Sequence, residues 1–273
     1  MFTKAIVKRP AVSFASGETT ADLGTPDLEA ALRQHQAYCE ALESCGLELI
    51  HLPPDAEHPD STFVEDTALL TPRGAILTRP GADSRHGEVA SITPVVRKYF
   101  DNVYSIQEPG TLDAGDVCEN GNHFFIGISR RTNEHGAKQL AGLLYSFGYT
   151  ASLIDIRRLS NILHLKSGIA SISGTRLLVI EALRNAQEFS GYDLICLNST
   201  EEYAANCLFI NGRILIASGF PATNRELELL GHPIISIDMS EFQKMDGGLS
   251  CLSLRFQAIK GEKIWRRKRL TRR

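Results

Sequence analysis

Apolar and polar positions change period along the chain, from the two-residue period of strands to the helical period and back. An apolar strand at residues 5–7 stops at Arg9-Pro10. Helical spacing of apolar residues then predicts a first helix, with Thr25 as its N-cap and Gly46 as its stop. A second strand follows at residues 47–52, and together these elements form one strand–helix–strand unit.

The same order recurs further along the chain. Hairpin turns are predicted at residues 72–74, 120–121, 173–174 and 211–212, where Gly follows a polar residue. Helices are predicted at residues 87–100, 133–148 and 223–230, each followed by a strand. The helix of the fourth unit, before residue 211, is poorly defined. About five hairpin–helix–strand units therefore predict a radial or stacked α/β array with a period of roughly 40–60 residues.

The predicted units end in loops that carry ionisable or nucleophilic side chains. In a ring with pseudo-rotational symmetry these loops converge, so the organisation predicts one central site. The candidates are Asp60, Glu65 and Asp66 in the first loop, Asp113 and Asp116 in the next, then His164 and finally Cys251.

Cys251 lies just after a Gly247-Gly248 turn and begins a short apolar strand. With a histidine and an orienting carboxylate, such a cysteine forms an activated nucleophile. The alternative is structural, because a free cysteine is often buried and inert. Aspartates are likewise common turn caps, and His164 between two leucines has the pattern of an ordinary strand histidine.

The acidic loops suggest a cationic ligand. Carboxylates match the planar donors of a guanidinium in paired hydrogen bonds. Arginines hold carboxylates in the same way, and Arg79, Arg85, Arg130 and Arg131 are available for this role. The combination indicates an α-amino acid with a guanidino side chain.

Composition narrows the class of protein. The 273 residues are 43% hydrophobic and 22% charged, which suits one large or two small domains. No apolar run reaches the roughly 18 residues that a membrane span needs, and no signal peptide is evident, so we expect a cytoplasmic protein. Six scattered cysteines without a Cys-x-x-Cys pair argue against a zinc site and a disulfide framework.

Basic residues are concentrated at the end of the sequence. Residues 260–273 carry a local charge of +7, whereas the whole chain carries −3. We expect a flexible, solvated extension over residues 258–273, although such a segment could also contact RNA or an anionic membrane surface. The acidic body makes nucleic acid an unexpected main ligand.

Five short stretches give the sequence a specific resemblance. It resembles the dimethylarginine dimethylaminohydrolases, within the pentein (guanidine-modifying) superfamily. The resemblance covers residues 1–256 and leaves the basic extension outside. The matching stretches are PDSTFVED at 59–66, TLDAGD at 111–116, LHLKS at 163–167, YAANC at 203–207 and DGGLSC at 246–251.

The resemblance implies an α/β fold, a five-bladed ββαβ propeller with a central active site in a single catalytic domain of residues 1–257. It implies hydrolysis of N-methylated arginine to citrulline and a methylamine, without metal or organic cofactor. The implied roles are Cys251 as nucleophile, His164 as general acid and base, Asp113 as its supporting carboxylate, Asp60, Glu65 and Asp66 on the guanidinium, and Arg85 and Arg131 on the substrate carboxylate.

One position departs from the family pattern. Residues 14–24 are the expected lid loop. In the family pattern an apolar residue of this loop lies beside the methylated nitrogens of the substrate, and Glu18 stands at that position here. We include Glu18 among the substrate-binding candidates, since a carboxylate there could favour an unmethylated guanidinium or point to solvent. The alternative functions are an arginine deiminase, an amidinotransferase and a non-catalytic binding module. The chain could also form a homodimer.

Overall fold

The structure is a computed structural model that describes residues 1–258. It contains fifteen strands in these residues, each three to six residues long. They are β1 (Lys4–Lys8), β2 (Glu48–Leu52), β3 (Ala68–Thr71), β4 (Gly74–Leu77), β5 (Val103–Ser105), β6 (Val117–Asn120), β7 (His123–Ile128), β8 (Thr150–Asp155), β9 (Ile169–Ser173), β10 (Arg176–Ile180), β11 (Asp193–Leu197), β12 (Leu208–Ile210), β13 (Arg213–Ala217), β14 (Ile234–Ile237) and β15 (Ser253–Phe256).

The α-helices of residues 1–258 connect second strands to third strands, except for the short last helix. They are α1 (Leu28–Ser44), α2 (Glu88–Tyr99), α3 (Glu134–Ser146), α4 (Pro221–Glu228) and α5 (Ser240–Gln243). The fourth unit has two 3₁₀ turns in place of a helix, at Glu181–Leu183 and Gln187–Phe189. The weak helical pattern of that unit is therefore a real difference from the other units.

Five three-stranded sheets repeat one topology, as the sequence predicts. In each sheet the middle strand pairs antiparallel with one neighbour and parallel with the other. Middle strands are mainly apolar and buried, since both of their faces are covered by neighbouring layers. The fold is thus a mixed α/β assembly of five ββαβ-like units.

The first unit takes its hairpin partner from the other end of the described chain. Strand β15 pairs antiparallel with β1, with Ala5 opposite Arg255 and Val7 opposite Ser253. Cys251 lies two residues before Ser253, the first residue of β15. The N-terminal strand therefore fixes the segment that carries the candidate nucleophile.

The first strands of the five units face a shared cavity of about 260 Å³. Residues of β3, β6, β9, β12 and β15 all line this cavity. One strand from every unit therefore borders the same space.

Helix α1 begins later than expected. Asp27, and not Thr25, is the N-cap, because its Oδ1 accepts a hydrogen bond of 2.6 Å from the N–H of Ala30. The backbone N–H of Asp27 in turn donates to Oε2 of Glu241 at 2.6 Å. This contact with α5 fixes the helix start, and no local sequence pattern reveals it. The predicted stop is confirmed, as Gly46 adopts a φ of +86°.

No helix among residues 1–258 is both long and apolar enough to cross a membrane. The basic segment at residues 260–273 lies outside the described residues. The predicted extension over residues 258–273 and the domain limit at residue 257 therefore stay predictions.

Three aromatic rings anchor the start of the lid loop to the rest of the protein. The ring centroid of Phe14 lies 5.5 Å from that of Phe242 and 6.1 Å from that of Phe63. All three side chains are buried. Tilted ring contacts of this kind add to the stabilisation from burial.

Replacing Phe242 should test this anchor. Phe242→Ala should lower the free energy of unfolding by about 3–5 kcal/mol, because it leaves a cavity between two rings. Tyr145→Ala, at a side chain that is 79% exposed, is the matched control and should change it by less than about 0.5 kcal/mol. Chemical denaturation measures both values, and equal values would contradict the anchor.

Candidate active site

A narrow cleft brings most of the predicted site residues together. Its free volume is about 20 Å³, which is room for about one water molecule. The lining side chains come from loops of several units. They are Glu18, Asp60, Phe63, Asp66, Arg85, Arg131, Leu163, His164, Met245, Asp246, Gly247 and Cys251.

Close packing explains the two glycines before Cys251. A Cβ on Gly247 would collide with the ring of Phe63, and one on Gly248 would lie 2.5 Å from Cγ of Asn206. The residue that adopts a left-handed conformation is Asp246, with a φ of 56°. The glycines are therefore needed for close approach and not for unusual backbone angles.

Cys251 lies in a 3₁₀ turn, Ser250–Leu252, and is buried. Burial raises the pKa of its thiol to about 12, and the negative charges of Glu65 and Asp66 add to this shift. A hydrogen bond with Gly248 and the charge of Lys166 oppose the shift. Without a ligand the sulfur is therefore a thiol at neutral pH, and a cation in the cleft would favour the thiolate.

His164 forms an ion pair with the expected carboxylate. Its Nε2 lies 3.0 Å from Oδ2 of Asp113, whose side chain is fully buried. Burial opposes protonation of His164, but the charge of Asp66, the Asp113 contact and the charge of Asp116 together raise its pKa to about 9. The imidazole is therefore protonated at neutral pH and is available as an acid.

The backbone around His164 is interlocked with the aspartate loops. Asp116 accepts a hydrogen bond from the N–H of Leu165 at 2.9 Å and one from Ser129 at 2.6 Å. Burial raises the pKa of Asp116 to about 6 in spite of these donors and the nearby imidazole. Gly115 lies against the imidazole, since a Cβ there would be 2.7 Å from Nδ1 of His164. The histidine position thus depends on this glycine-containing loop.

Asp66 links the cleft to Arg85. Oδ2 of Asp66 accepts from Nη1 of Arg85 at 2.6 Å, and Oδ1 accepts from the N–H of Gly115 at 2.9 Å. Burial raises the pKa of Asp66, but His164 and Arg85 outweigh it and bring the pKa to about 2. Asp66 is therefore a permanent negative charge in the cleft.

Arg85 uses most of its hydrogen-bond donors within the protein, which the sequence did not predict. It binds Glu88 through Nε and Nη2 at 3.0 and 2.7 Å, and Nη2 also donates to the carbonyls of Asp60 and Phe63. A guanidinium has five N–H donors. With Asp66 on Nη1, only one Nη1 hydrogen is left for the substrate carboxylate that Arg85 is expected to bind.

Glu65 does not line the cleft, although it was expected on the guanidinium. Its Oε1 lies 2.6 Å from Nζ of Lys166 and 2.9 Å from Nη2 of Arg255, and Oε2 accepts from the hydroxyl of Ser250 at 2.7 Å. Glu65 lines the central 260 Å³ cavity instead. Both carboxylate oxygens of Glu65 are engaged by these partners, and its contact with the guanidinium stays a prediction.

Glu18 and Arg131 meet at the cleft. Oε2 of Glu18 lies 2.8 Å from Nη2 of Arg131, and Oε1 accepts from the hydroxyl of Ser84. The backbone N–H of Glu18 donates to Oδ2 of Asp60 at 3.0 Å. Burial raises the pKa of Asp60. The Glu18 carboxylate therefore pairs with an arginine. The sequence had suggested either a contact with the substrate guanidinium or exposure to solvent.

Of the four candidate arginines, Arg85 and Arg131 line the cleft. Arg79 pairs with Glu108 at 2.8 Å, and Arg130 borders another surface cavity. Sequence reasoning assigned no roles to Ser84, Lys166, Asn206, Ser250 and Arg255, which hold site residues in place. Three of these, Lys166, Asn206 and Ser250, lie inside the matching stretches, which was the available signal.

Three residues could in principle hold a metal ion. Ligand atoms of Asp66, Asp113 and His164 lie within 4.8 Å of one another. These side chains already make the ion pairs and hydrogen bonds described above. A reaction without metal or cofactor stays a prediction.

Comparisons with known proteins identify the family of this chain. The fold is the pentein fold of guanidine-modifying enzymes. No protein-family model matches the chain. It is, however, similar to N(G),N(G)-dimethylarginine dimethylaminohydrolase of Pseudomonas aeruginosa, with 43% identity over 94% of this chain and 100% of the relative. The same-named protein of Streptomyces coelicolor is 35% identical over 94% of this chain and 98% of its own length. The chain belongs to the dimethylarginine dimethylaminohydrolase family.

Solved structures support the same family. A Cys-to-Ser mutant of the Pseudomonas aeruginosa enzyme complexed with citrulline has a TM-score of 0.91, at 42% identity over 94% of this chain and 100% of that one. The N-terminal domain of ArgZ, an arginine dihydrolase of cyanobacteria, has a TM-score of 0.82 at 18% identity, over 93% of this chain and 97% of that one, and shows the fold alone.

The His164 ion pair should make stability depend on pH. The folded pKa of about 9 exceeds the unfolded value of about 6.5. The stabilisation is therefore complete below about pH 6.5 and is lost as pH rises to about 9, by about 3 kcal/mol in total. Chemical denaturation across this range should show the loss in wild type and not in His164→Gln. An equal slope in both proteins would contradict the raised pKa.

Glu65 should be a structural requirement of the site. Glu65→Leu should lower the free energy of unfolding by about 3–5 kcal/mol, because Lys166 and Arg255 lose a buried counter-charge. Glu181→Leu removes an exposed pair with Arg184 and should cost less than about 1 kcal/mol. Denaturant titration measures both, and a small effect at Glu65 would show that the two cations find other partners.

Proposed function

We propose that this protein hydrolyses N-methylated L-arginine, as dimethyl- or monomethylarginine, to L-citrulline and a di- or monomethylamine. The observation that supports this most is one cleft lined by Cys251, His164, Asp60 and Asp66. Asp113 forms an ion pair with that histidine. Relatives that cover nearly the whole chain are named for the same activity, and one structure holds citrulline.

The charges of the cleft fit this substrate. Asp60 and Asp66 are acidic groups that match a guanidinium, and Arg131 is a cation that matches the α-carboxylate. The remaining Nη1 hydrogen of Arg85 can supply a second donor to that carboxylate. Binding would thus fix the guanidinium plane next to Cys251, which is the main requirement for attack on a weak electrophile.

In the first stage the substrate charge lowers the pKa of Cys251, and the thiol loses its proton to solvent water. The thiolate attacks the guanidinium carbon and forms a C–S bond. His164, protonated at neutral pH, then gives its proton to the methylated nitrogen as the C–N bond breaks. The products are a free methylamine and a covalent thiouronium on Cys251.

In the second stage His164 acts as a base. It takes a proton from water, and the oxygen attacks the thiouronium carbon. The C–S bond then breaks, the hydroxyl proton passes to sulfur, and citrulline and the Cys251 thiol are released. Acid–base help of this kind contributes about 10²–10⁴-fold to the rate. Asp113 would hold the imidazole in position through both stages.

Several finer expectations belong to this proposal. They are a single catalytic domain over residues 1–257, a cytoplasmic location, and an assembly that could be a homodimer. A small methylated arginine would be the partner, with no role for nucleic acid or membrane. Size-exclusion chromatography with light scattering would determine the assembly.

Citrulline formation tests the proposed activity directly. Wild type should convert asymmetric dimethylarginine and monomethylarginine, and Cys251→Ser should abolish turnover because the hydroxyl is a far weaker nucleophile. His164→Gly should lower kcat by about 10²-fold or more. Colorimetric citrulline detection with each substrate and with arginine measures the rates.

The outcomes separate the candidate activities. Turnover of arginine alone would favour a deiminase, and amidino transfer to an added amine would favour an amidinotransferase. Retained activity in Cys251→Ser would reject the covalent mechanism. Absence of any reaction would favour a binding protein.

A further inference from the structure

The lid loop covers the cleft. It is attached on both sides by side-chain and backbone hydrogen bonds. These run from the N–H of Glu18 to Asp60 Oδ2 at 3.0 Å, from the Thr19 hydroxyl to the Lys244 carbonyl at 2.9 Å, and from the N–H of Thr20 to Asp246 Oδ2 at 2.5 Å.

The closed cleft has no room for an amino acid. Its free volume of about 20 Å³ corresponds to about one water molecule, whereas a methylated arginine has more than ten heavy atoms. Either the lid loop or the side chains that it carries must therefore move before a ligand of this size can reach Cys251.

Glu18 is the charged side chain that the lid loop places in the cleft. Its carboxylate binds Nη2 of Arg131 at 2.8 Å and also accepts from Ser84. The Ser84 hydrogen bond and the charge of Arg131 lower the pKa of Glu18 against a smaller opposing effect of burial. Glu18 is therefore a carboxylate at neutral pH, paired with a cation that lines the site.

The pair with Glu18 uses Nη2 of Arg131 and leaves Nη1 without a partner among the described residues. This Nη1 atom is buried. Arginine typically binds a carboxylate through two parallel N–H donors. A ligand carboxylate that binds Arg131 through both Nη1 and Nη2 would place its negative charge beside the Glu18 carboxylate that already accepts from Nη2.

We propose that Glu18 is an internal competitor for the ligand carboxylate. In the free protein it occupies Arg131 and keeps the lid loop closed over Cys251. A ligand with a free α-carboxylate replaces it, and the lid loop opens for that ligand. The proposed function supplies only the identity of the ligand here. Three observations support the role of Glu18 as a competitor. They are its ion pair with Arg131, the unpaired Nη1 donor of Arg131, and the small free volume of the cleft.

Alkylation of Cys251 tests this competition without any substrate. Glu18→Gln keeps the size of the side chain and removes its charge, so the lid loop should open more often. We expect the second-order rate of Cys251 modification by iodoacetamide near neutral pH to rise roughly three- to tenfold, the range expected for loss of one ion pair and a weakened hydrogen bond. Mass spectrometry of the Cys251 peptide follows the reaction.

Asp22→Asn is the matched control. Asp22 is an exposed carboxylate on the same loop, so this variant removes the same charge without touching the Arg131 pair. Its alkylation rate should equal that of wild type. A Glu18→Gln rate equal to or below the wild-type rate would overturn the proposal.

Steady-state kinetics provide the second measurement. Glu18→Gln should lower KM for asymmetric dimethylarginine by a similar factor. The gain should be smaller for the carboxamide of the same substrate, which does not compete as an anion for Arg131. A higher KM in Glu18→Gln would mean that Glu18 assists binding and would overturn the proposal. Absence of wild-type turnover would reject the proposed function alone, since alkylation still decides this inference.

Discussion

A buried carboxylate behind the cleft connects the segments on which the site depends. Glu65 neighbours Asp66 in the chain, and its oxygens contact Lys166, Ser250 and Arg255. Lys166 lies two residues after His164, Ser250 directly precedes Cys251, and Arg255 lies on β15. An ionised group in this position is stable only while both cations and the hydroxyl surround it. The relative position of the nucleophile and the acid is therefore fixed by charge neutralisation as well as by packing.

Charge is also arranged inside the cleft. His164 is protonated while Cys251 is a thiol, although the two line the same small space. Three aspartates around the imidazole stabilise its charge, and negative charges near the sulfur oppose a second anion there. Such a site is poised for a cationic ligand, because only that ligand removes the obstacle to the thiolate. The resting enzyme would thus avoid a permanently reactive sulfur.

The sequence was sufficient for the repeat pattern and for most of the site. Hairpin turns, helical spacing and the order of acidic loops led to five units, to Cys251 and His164 in one cleft, and to Asp113, which pairs with His164. The orientation of Glu65 was not predictable, because its partners lie 185 and 190 residues away at Ser250 and Arg255. The same limit applied to the start of α1, which depends on a contact with Glu241. Local patterns identify elements and candidate chemistry, whereas the direction of a side chain depends on distant partners.

The pairing of β1 with β15 makes assembly of the site a long-range event. Residues about 250 positions apart must meet before the turn with Cys251 has a neighbouring strand, and closing so long a loop is entropically costly. A chain that has folded only part of its units therefore has no organised nucleophile. The Cys251 thiol therefore lies next to the histidine, the charged residues and the lid loop only in a molecule in which β1 and β15 have paired.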